Sequence, residues 1–215
     1  MRKKPVSSFI TPQDSFWAGE FGTDYIRRNR GDELLACNLE FFVSSLSRAY
    51  GIQSCIEFGA NIGMNIMALK LLYPKIEAHG IEINSDAVKE LRGVIRPEHA
   101  YNTSILEFCP VRQWDLVLIK TVLIHIHPDN LDIVYEKLVK CTSRFLLVAE
   151  YYSQVPIEVV YRGHSGKLFK RDFAGEILDA FPEMRLIDYG FRYRRDPKFP
   201  QDDISWFLME KMNHV

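Results

Sequence analysis

Ile56-Glu57-Phe58-Gly59-Ala60-Asn61-Ile62-Gly63 reads as the end of a buried strand, a tight glycine turn and the start of a helix. Cys55, Ile56 and Phe58 suit a strand inside a parallel sheet, where both faces are covered. Gly59 lets the backbone leave that strand sharply, and Gly63 opens the amphipathic segment Met64 to Leu72. Backbone N–H groups at such a helix start favour an anionic or strongly polar ligand group. The spacing departs from a dinucleotide fingerprint. Ala60-Asn61 stand where a middle glycine would let the backbone approach a pyrophosphate, and the acidic Glu57 lies two places before the first glycine.

The following segments extend the pattern. Ile76 to Ile83 reads as a second strand carrying Glu82 near its end, 19 positions after Gly63. An acidic side chain at the tip of a second strand, at about this separation, accepts hydrogen bonds from both ribose hydroxyls of a nucleoside. A predicted helix from Ser85 to Val94 leads to the polar run Tyr101-Asn102-Thr103-Ser104-Ile105-Leu106, whose side chains suit a base edge. Ser104 equally suits a helix N-cap. The turn with Glu57 resembles motif I of class I S-adenosylmethionine (AdoMet) methyltransferases. That resemblance implies AdoMet as cofactor. It places Glu57, Gly59, Ala60, Asn61 and Gly63 at the amino acid end, Glu82 and Ile83 at the ribose, and Ser104 and Ile105, with Thr103, at the adenine. Lys120 and Thr121 then line the methionine end, by likeness to motif IV.

From residue 54 onward strand and helix patterns alternate. Strands are expected at Ser54 to Phe58, Ile76 to Ile83, His99 to Tyr101, Trp114 to Ile119, Arg144 to Glu150, Met184 to Tyr193 and Ser205 to Lys211. The last two are joined by Pro197-Lys198-Phe199-Pro200 with no room for a crossover helix, so they pair antiparallel. The expected fold is α/β and Rossmann-like. It is a mostly parallel seven-stranded sheet ending in an antiparallel hairpin, with helices on both faces, as in the class I methyltransferases. Residues 51–215 form this domain and residues 1–50 an N-terminal helical cap segment, one structural domain overall. In the cap, Phe16, Trp17, Phe21 and Tyr25 form an aromatic roof, with Trp17 over the cofactor and Glu20 and Tyr25 toward the substrate. Gly19 and Gly22 would weaken a purely structural helix there.

At 215 residues, 47% hydrophobic and 26% charged, the chain has the composition of a globular domain with one substantial core. A net charge of -1 gives no electrostatic footprint for nucleic acid, which excludes DNA as the default partner and argues against RNA. The basic clusters Arg2-Lys3-Lys4 and Arg192 to Arg195 are too short to change that. Cys37, Cys55, Cys109 and Cys141 are widely spaced, which suits a reducing compartment and gives no metal-ligand spacing. His125-Ile126-His127 with Asp129 comes closest to a metal cluster. An extended strand would send the two histidines to opposite faces, so no metal is expected. With no signal-peptide pattern and no apolar run long enough to span a bilayer, the expected location is cytoplasmic and away from membranes.

Ligands of open α/β sheets bind outside the C-terminal strand ends, here Lys120 to Pro128 and Glu150 to Ser153. His125 is the first candidate base, with Glu150 and Tyr152 beside it; a base is needed only if the nucleophile arrives protonated. Glu150, Tyr151 and Tyr152, with Glu20, would form an acidic, aromatic wall for an amine or guanidinium. In the loop Tyr161 to Lys167, Arg162, His164 and Lys167 would clamp a carboxylate or phosphate. The alternative there is a plain surface turn between short strands Val159 to Arg162 and Lys167 to Lys170. Two such walls suit a small polar substrate such as an amino acid, a guanidino compound or an amino sugar acid.

The combination of Phe16-Trp-Ala-Gly-Glu-Phe-Gly-Thr-Asp-Tyr-Ile, the glycine turn, Val122-Leu-Ile-His-Ile-His-Pro and Tyr161-Arg-Gly-His-Ser-Gly-Lys-Leu-Phe-Lys-Arg-Asp-Phe-Ala-Gly resembles the pseudaminic acid biosynthesis-associated methylase family. The resemblance covers residues 14 to about 212 and implies a methyltransferase acting on a small molecule. A catalytically silent AdoMet-binding subunit and an RNA methyltransferase are the competing readings.

Overall fold

β1 (Ser54–Phe58) is buried at all five positions, because it lies at the centre of a seven-stranded sheet. The computed structural model describes residues 11–212, so the basic cluster Arg2-Lys3-Lys4 lies outside the described residues. The other strands are β2 (Glu77–Glu82), β3 (Ala100–Asn102), β4 (Trp114–Lys120), β5 (Thr142–Glu150), β8 (Met184–Arg192) and β9 (Ile204–Lys211), and the sheet order is β3-β2-β1-β4-β5-β9-β8. β3, β2, β1, β4 and β5 pair in parallel, whereas β9 runs antiparallel between β5 and β8. The expected terminal hairpin is therefore present. A separate two-stranded ribbon, β6 (Ile157–Glu158) with β7 (Phe169–Lys170), stands outside the sheet.

Side-chain alternation sorts the core into two layers. Ile56, Phe58, Val117, Ile119, Leu146 and Val148 face α6 (Leu131–Cys141) and α7 (Phe173–Ala180). Cys55, Leu116, Leu118, Phe145 and Leu147 face the other way. They meet α3 (Asp32–Ser45), α4 (Met64–Leu72) and α5 (Ser85–Leu91). Phe41 and Phe42 of α3 are fully buried in this second layer, so α3 belongs to the sheet's helical covering. Among the described residues, no helix is long and apolar enough to cross a membrane.

Several boundaries differ from expectation for local reasons. Pro97–His99 forms a 3-10 turn, which delays β3 to Ala100. The sequence pattern after Pro128 predicts a helix over Asp129 to Lys140, but another such turn, Pro128–Asn130, delays α6 to Leu131. α5 ends at Leu91 and not at Val94, and β5 begins at Thr142, directly after α6. The short ribbon pairs Ile157 with Lys170 and Glu158 with Phe169, upstream of the expected Val159 to Arg162 strand.

The N-terminal segment makes two further short helices, α1 (Pro12–Ala18) and α2 (Glu20–Arg28), folded against each other. Thr11 caps α1 by accepting from Asp14 N at 3.0 Å. Gly22 is what allows the close approach: a Cβ there would sit 1.8 Å from the Trp17 carbonyl oxygen and 2.9 Å from Asn84 Nδ2. The Asn84 side chain accepts from Asp86 N and Ala87 N at the start of α5 while donating to Trp17 O at 3.2 Å and Thr23 Oγ1 at 3.2 Å. α2 is thereby tied to the C-terminal edge of the sheet.

Candidate active site

The glycine turn uses backbone that side chains disfavour, with φ of +77° at Gly59, 47° at Asn61 and +89° at Gly63. Gly59 N and Ala60 N both donate to Ile81 O at 2.9 Å, which curls the turn over the end of β2. A Cβ at residue 59 would lie 2.5 Å from Val122 Cγ2, so the turn also packs tightly against the segment after β4. Glu82 fastens the arrangement: Oε2 accepts from Asn61 N at 2.8 Å and Oε1 from Asn84 N at 2.7 Å. Burial raises its pKa, against the pull of those backbone N–H groups. Thr121 holds φ 56° just after β4, an uncommon conformation for a threonine and one found at functional sites.

One cavity opens at these strand ends, roofed by α1 and α2. Of the residues expected at the cofactor, it is lined by Trp17, Gly59, Ala60, Asn61, Glu82, Ile83, Ile105, Lys120 and Thr121. Of those expected at substrate or chemistry, it is lined by Tyr25 and His125. Trp17 sits at the centre of an aromatic cluster, with ring centroids 5.4 Å from Phe21, 5.3 Å from Tyr25 and 4.6 Å from His125. Lys120 Nζ donates to Asn38 Oδ1 at 3.3 Å; burial lowers its pKa while Glu57, Asp202 and Glu150 act in the opposite sense.

His125 is buried, and its Nδ1 lies 2.6 Å from the Lys167 carbonyl oxygen. A carbonyl only accepts, so Nδ1 carries the hydrogen and Nε2 keeps its lone pair. Burial pushes the His125 pKa down to about 4, so the ring is neutral. His127 stands apart: its Nδ1 accepts from Asp129 N at 3.3 Å.

The remaining expected site residues lie outside the cavity lining. Glu57 is buried behind the turn, where Oε1 accepts from Asn65 Nδ2 at 2.6 Å, and burial pushes its pKa up to about 8. Gly63 packs against α5, with Leu91 Cδ1 2.9 Å from where a Cβ would stand. Ser104 donates to Asp14 and accepts from Leu106 N at 3.1 Å, so it shapes the turn after β3. Glu150 accepts from Val122 N at 2.9 Å and Leu123 N at 2.8 Å through Oε1 alone, and burial pushes it up to about 8.

The expected acidic, aromatic wall is divided: β5 ends at Glu150, and Tyr151 and Tyr152 beyond it have separate surroundings. Tyr151 lies under Lys170 Nζ, 5.2 Å from the ring centroid, and its pKa is raised by burial and then by Asp202. Tyr152 is exposed, 6.3 Å from the Phe207 ring. Glu20 is exposed on α2. The expected basic clamp is a tight turn: Tyr161 and His164 exchange two backbone hydrogen bonds of 2.9 Å across Arg162 (φ 50°) and Gly163 (φ 86°), the backbone of a type I′ hairpin turn. Arg162 is exposed there, and His164 packs on Phe16 with centroids 5.1 Å apart. Lys167 Nζ donates to Pro12 O at 2.9 Å, and Gln13 Nε2 donates to Gly166 O at 3.0 Å. The loop straps α1 down.

Sequence reasoning passed over Gln13, Asp14, Asn29, Asn38, Asn65 and Asn84, all in the cavity wall. Gln13 and Asp14 precede Trp17 by four and three positions, the spacing that puts them on its helix face. Asn84 follows Glu82 at a helix start, a recognisable N-cap position. Four buried polar atoms of lining residues, Gln13 Oε1, Trp17 Nε1, Asn61 Oδ1 and Asn65 Oδ1, have no partner among the described residues.

The strand order and the cavity at the parallel strand ends define the class I methyltransferase fold. The magnesium protoporphyrin IX methyltransferase of Synechocystis PCC 6803, solved with bound SAM, is 13% identical and has a TM-score of 0.64, covering 96% of this chain and 100% of its own. The 1,6-didemethyltoxoflavin-N1-methyltransferase of Burkholderia thailandensis, with bound 1,6-didemethyltoxoflavin and S-adenosylhomocysteine, is 11% identical with a TM-score of 0.72 over 97% of this chain and 94% of its own. The plantazolicin methyltransferase, in complex with a pentazolic desmethyl analogue and SAH, is 10% identical with a TM-score of 0.63 over 94% and 95%. No protein-family model matches the chain, and no curated protein matches it.

Proposed function

We propose that the protein is an AdoMet-dependent methyltransferase acting on a small polar molecule. The observation that carries this reading is the Glu82 carboxylate in the cavity wall, at the tip of β2 and beside the glycine turn. That is where an acidic side chain meets both ribose hydroxyls of a nucleoside in this kind of sheet. The donor set fits the cofactor: Asn61 Oδ1 and Asn65 Oδ1 are acceptors and Trp17 Nε1 a donor, all buried in one cavity. Structures of the same fold hold SAM or SAH, which supports the assignment.

Bound there, the cofactor supplies an electrophilic methyl group on a sulfonium. Gly59 to Asn61 line the cavity with their amides already committed to Ile81 O and Glu82, and Trp17, Tyr25 and His125 exclude water from the roof. Holding the reactants in line contributes on the order of 7–11 kcal/mol of barrier reduction, so positioning is the main task. His125, neutral and with Nδ1 committed to Lys167 O, keeps Nε2 free to accept a hydrogen bond from an acceptor group. Lys120, Asn38, Asn29 and Tyr25 line the cavity, and we read them as its acceptor end. A cation and amides there suit a carboxylate-bearing substrate such as an amino acid or an amino sugar acid, with guanidino compounds in the same small polar class.

The test is calorimetry with AdoMet, SAH and NAD. Methyl-labelled AdoMet is then incubated with a zwitterionic panel and with small-molecule and RNA fractions of cell extract. Label in a small zwitterion is the expected result. SAH binding with no labelled product from either fraction would point to a silent binding subunit, label in RNA to an RNA methyltransferase, and NAD binding in place of SAH would end the reading.

A further inference from the structure

Glu77, His79 and His99 meet at the edge of the sheet, at the end of β2 away from the cavity. Glu77 and His79 are two positions apart on β2, so their side chains share a face. Gly80 pairs with Ala100 in parallel, which sets His99, one residue earlier, beside His79. The two imidazole rings stack with centroids 3.8 Å apart. Both bring Nε2 to one carboxylate oxygen: Glu77 Oε1 lies 3.1 Å from His79 Nε2 and 3.8 Å from His99 Nε2. One ligand atom from each of the three residues lies within 4.8 Å of the other two. The His79 side chain is 4% exposed, its Nδ1 is 3.1 Å from the Tyr101 hydroxyl, and its ring centroid is 5.2 Å from that of Trp114. An imidazole that gives its Nδ1 hydrogen to such a partner keeps a lone pair on Nε2, as metal-ligating histidines do. The Glu77 and His99 side chains are 40% and 14% exposed, so the cluster is open to solvent on their side. Arg112 Nη1 donates to Glu77 Oε1 at 3.0 Å and Oε2 at 3.2 Å. That side chain is exposed, so solvent weakens its repulsion of a second cation, and a carboxylate accepts at up to four positions.

Two imidazole nitrogens and a carboxylate oxygen are the donor set of a zinc ion that keeps one position for water. Nitrogens bound at about 2.1 Å in a tetrahedral site stand about 3.4 Å apart, so the stacked rings need a swing of only about 1 Å. His99 can supply it, because it ends the 3-10 turn before β3 and is the more exposed of the pair. We propose that Glu77 Oε1, His79 Nε2 and His99 Nε2 bind a divalent transition-metal ion, zinc being the best match to these donors. Tyr101 is the positioning residue: its hydroxyl accepts from His79 Nδ1 and fixes the tautomer that ligates. The ion joins β2 to the turn that leads into β3, an edge strand of three residues held by β2 alone. The site is separate from the cavity and independent of the methyltransferase reading.

The experiment titrates the full chain, first stripped with a chelator, with zinc chloride and follows it by calorimetry and by nitrogen-15 spectra of the imidazoles. One zinc per chain is expected, with the Nε2 signals of His79 and His99 shifting and those of His125 unmoved. Magnesium, which avoids imidazole, should leave the spectra unchanged. Zinc should also slow amide exchange in Ala100–Asn102, since it ties down the edge strand. His99→Ala and Glu77→Gln each remove a ligand and should weaken zinc by at least about tenfold, and Tyr101→Phe, which removes only the outer partner, by about tenfold. Wild-type spectra in which zinc leaves His79 and His99 unshifted would overturn the proposal, and that readout does not depend on how any variant folds. Undiminished zinc affinity in His99→Ala would overturn it too, by placing the ion elsewhere, for example at the exposed Cys109.

Discussion

Substituting Glu82→Gln should uncouple the glycine turn from β2, and Glu150→Gln should not disturb the segment it supports. Each oxygen of Glu82 accepts from a different backbone amide, Asn61 N at 2.8 Å and Asn84 N at 2.7 Å. A glutamine has one acceptor oxygen, so whichever way its amide sits, one buried N–H faces another donor. Loss of a charge-assisted bond costs about 1.5–3 kcal/mol, partly offset because burial already disfavours the Glu82 charge. The net expectation is about 2 kcal/mol, or roughly 4–8 °C in Tm for a chain of this size. At Glu150 both amides, Val122 N and Leu123 N, converge on Oε1, and Oε2 has no partner among the described residues. Glutamine keeps that oxygen and removes a buried charge. Because burial raises the Glu150 pKa to about 8 from an ordinary value of 4.5, the folded state holds the proton more tightly than the unfolded chain. Its stabilising contribution is complete below about 4.5 and is lost as pH rises through 8. Glu150→Gln should therefore match wild type at pH 5 and exceed it at pH 9. Urea denaturation followed by circular dichroism at pH 5, 7 and 9, with SAH calorimetry at pH 7, measures both variants. A Glu82→Gln protein with wild-type stability and SAH affinity would refute the reasoning, as would a Glu150→Gln protein less stable than wild type at pH 9.

Gly22→Ala places a methyl group 1.8 Å from the Trp17 carbonyl oxygen, so α2 must move; a Tm loss corresponding to about 1–3 kcal/mol and weaker SAH binding are expected. Unchanged melting and affinity would show that α2 does not pack on α1 in this way. The His125 imidazole should show no NMR titration between pH 5.5 and 8, since its pKa is pushed down to about 4; a midpoint near 6.5 would contradict its burial. Lys167→Ala removes the donation to Pro12 O and should speed amide hydrogen exchange across α1 with little change in the sheet. Equal exchange in α1 would show that the loop does not strap it.

The sheet was legible because its signals are local. Glu82 sits 19 positions after Gly63, the Pro197 to Pro200 loop leaves no room for a helix, and both features appear in the structure where the sequence places them. The acceptor side was less legible, because linear proximity misleads there. Glu150, Tyr151 and Tyr152 are adjacent in sequence, but Glu150 accepts from the Val122 and Leu123 amides, Tyr151 packs against both core layers and Tyr152 is exposed. Arg162 and His164 look like a clamp until the two positive φ values at Arg162 and Gly163 make the segment a two-residue hairpin turn. In the cap, the aromatic density around Trp17 obscured Gln13 and Asp14, whose helical spacing places them on the same face. Their partners, Gly166 and Ser104, lie 153 and 90 positions away, and no local pattern carries that information.

The cap and the glycine turn are one hydrogen-bonded assembly, and Asn84 shows why. Its backbone N–H donates to Glu82 Oε1, its side-chain oxygen accepts from Asp86 N and Ala87 N, and its side-chain nitrogen donates to Trp17 O and Thr23 Oγ1. Flipping the amide would set its NH2 against two N–H donors of α5, so the helix start fixes which atom faces the cap. The same amide geometry that caps α5 therefore dictates where α1 and α2 are held, and Gly22 supplies the clearance. On the opposite edge, Lys167 donates to Pro12 O while its own carbonyl accepts from His125 Nδ1. Trp17, the ring between these anchors, is consequently placed by Glu82's neighbour on one side and by His125's partner on the other. A shift of α1 must disturb the Glu82 carboxylate, the neutral histidine or both, which makes the cap part of the cavity's structure and not a cover laid over it.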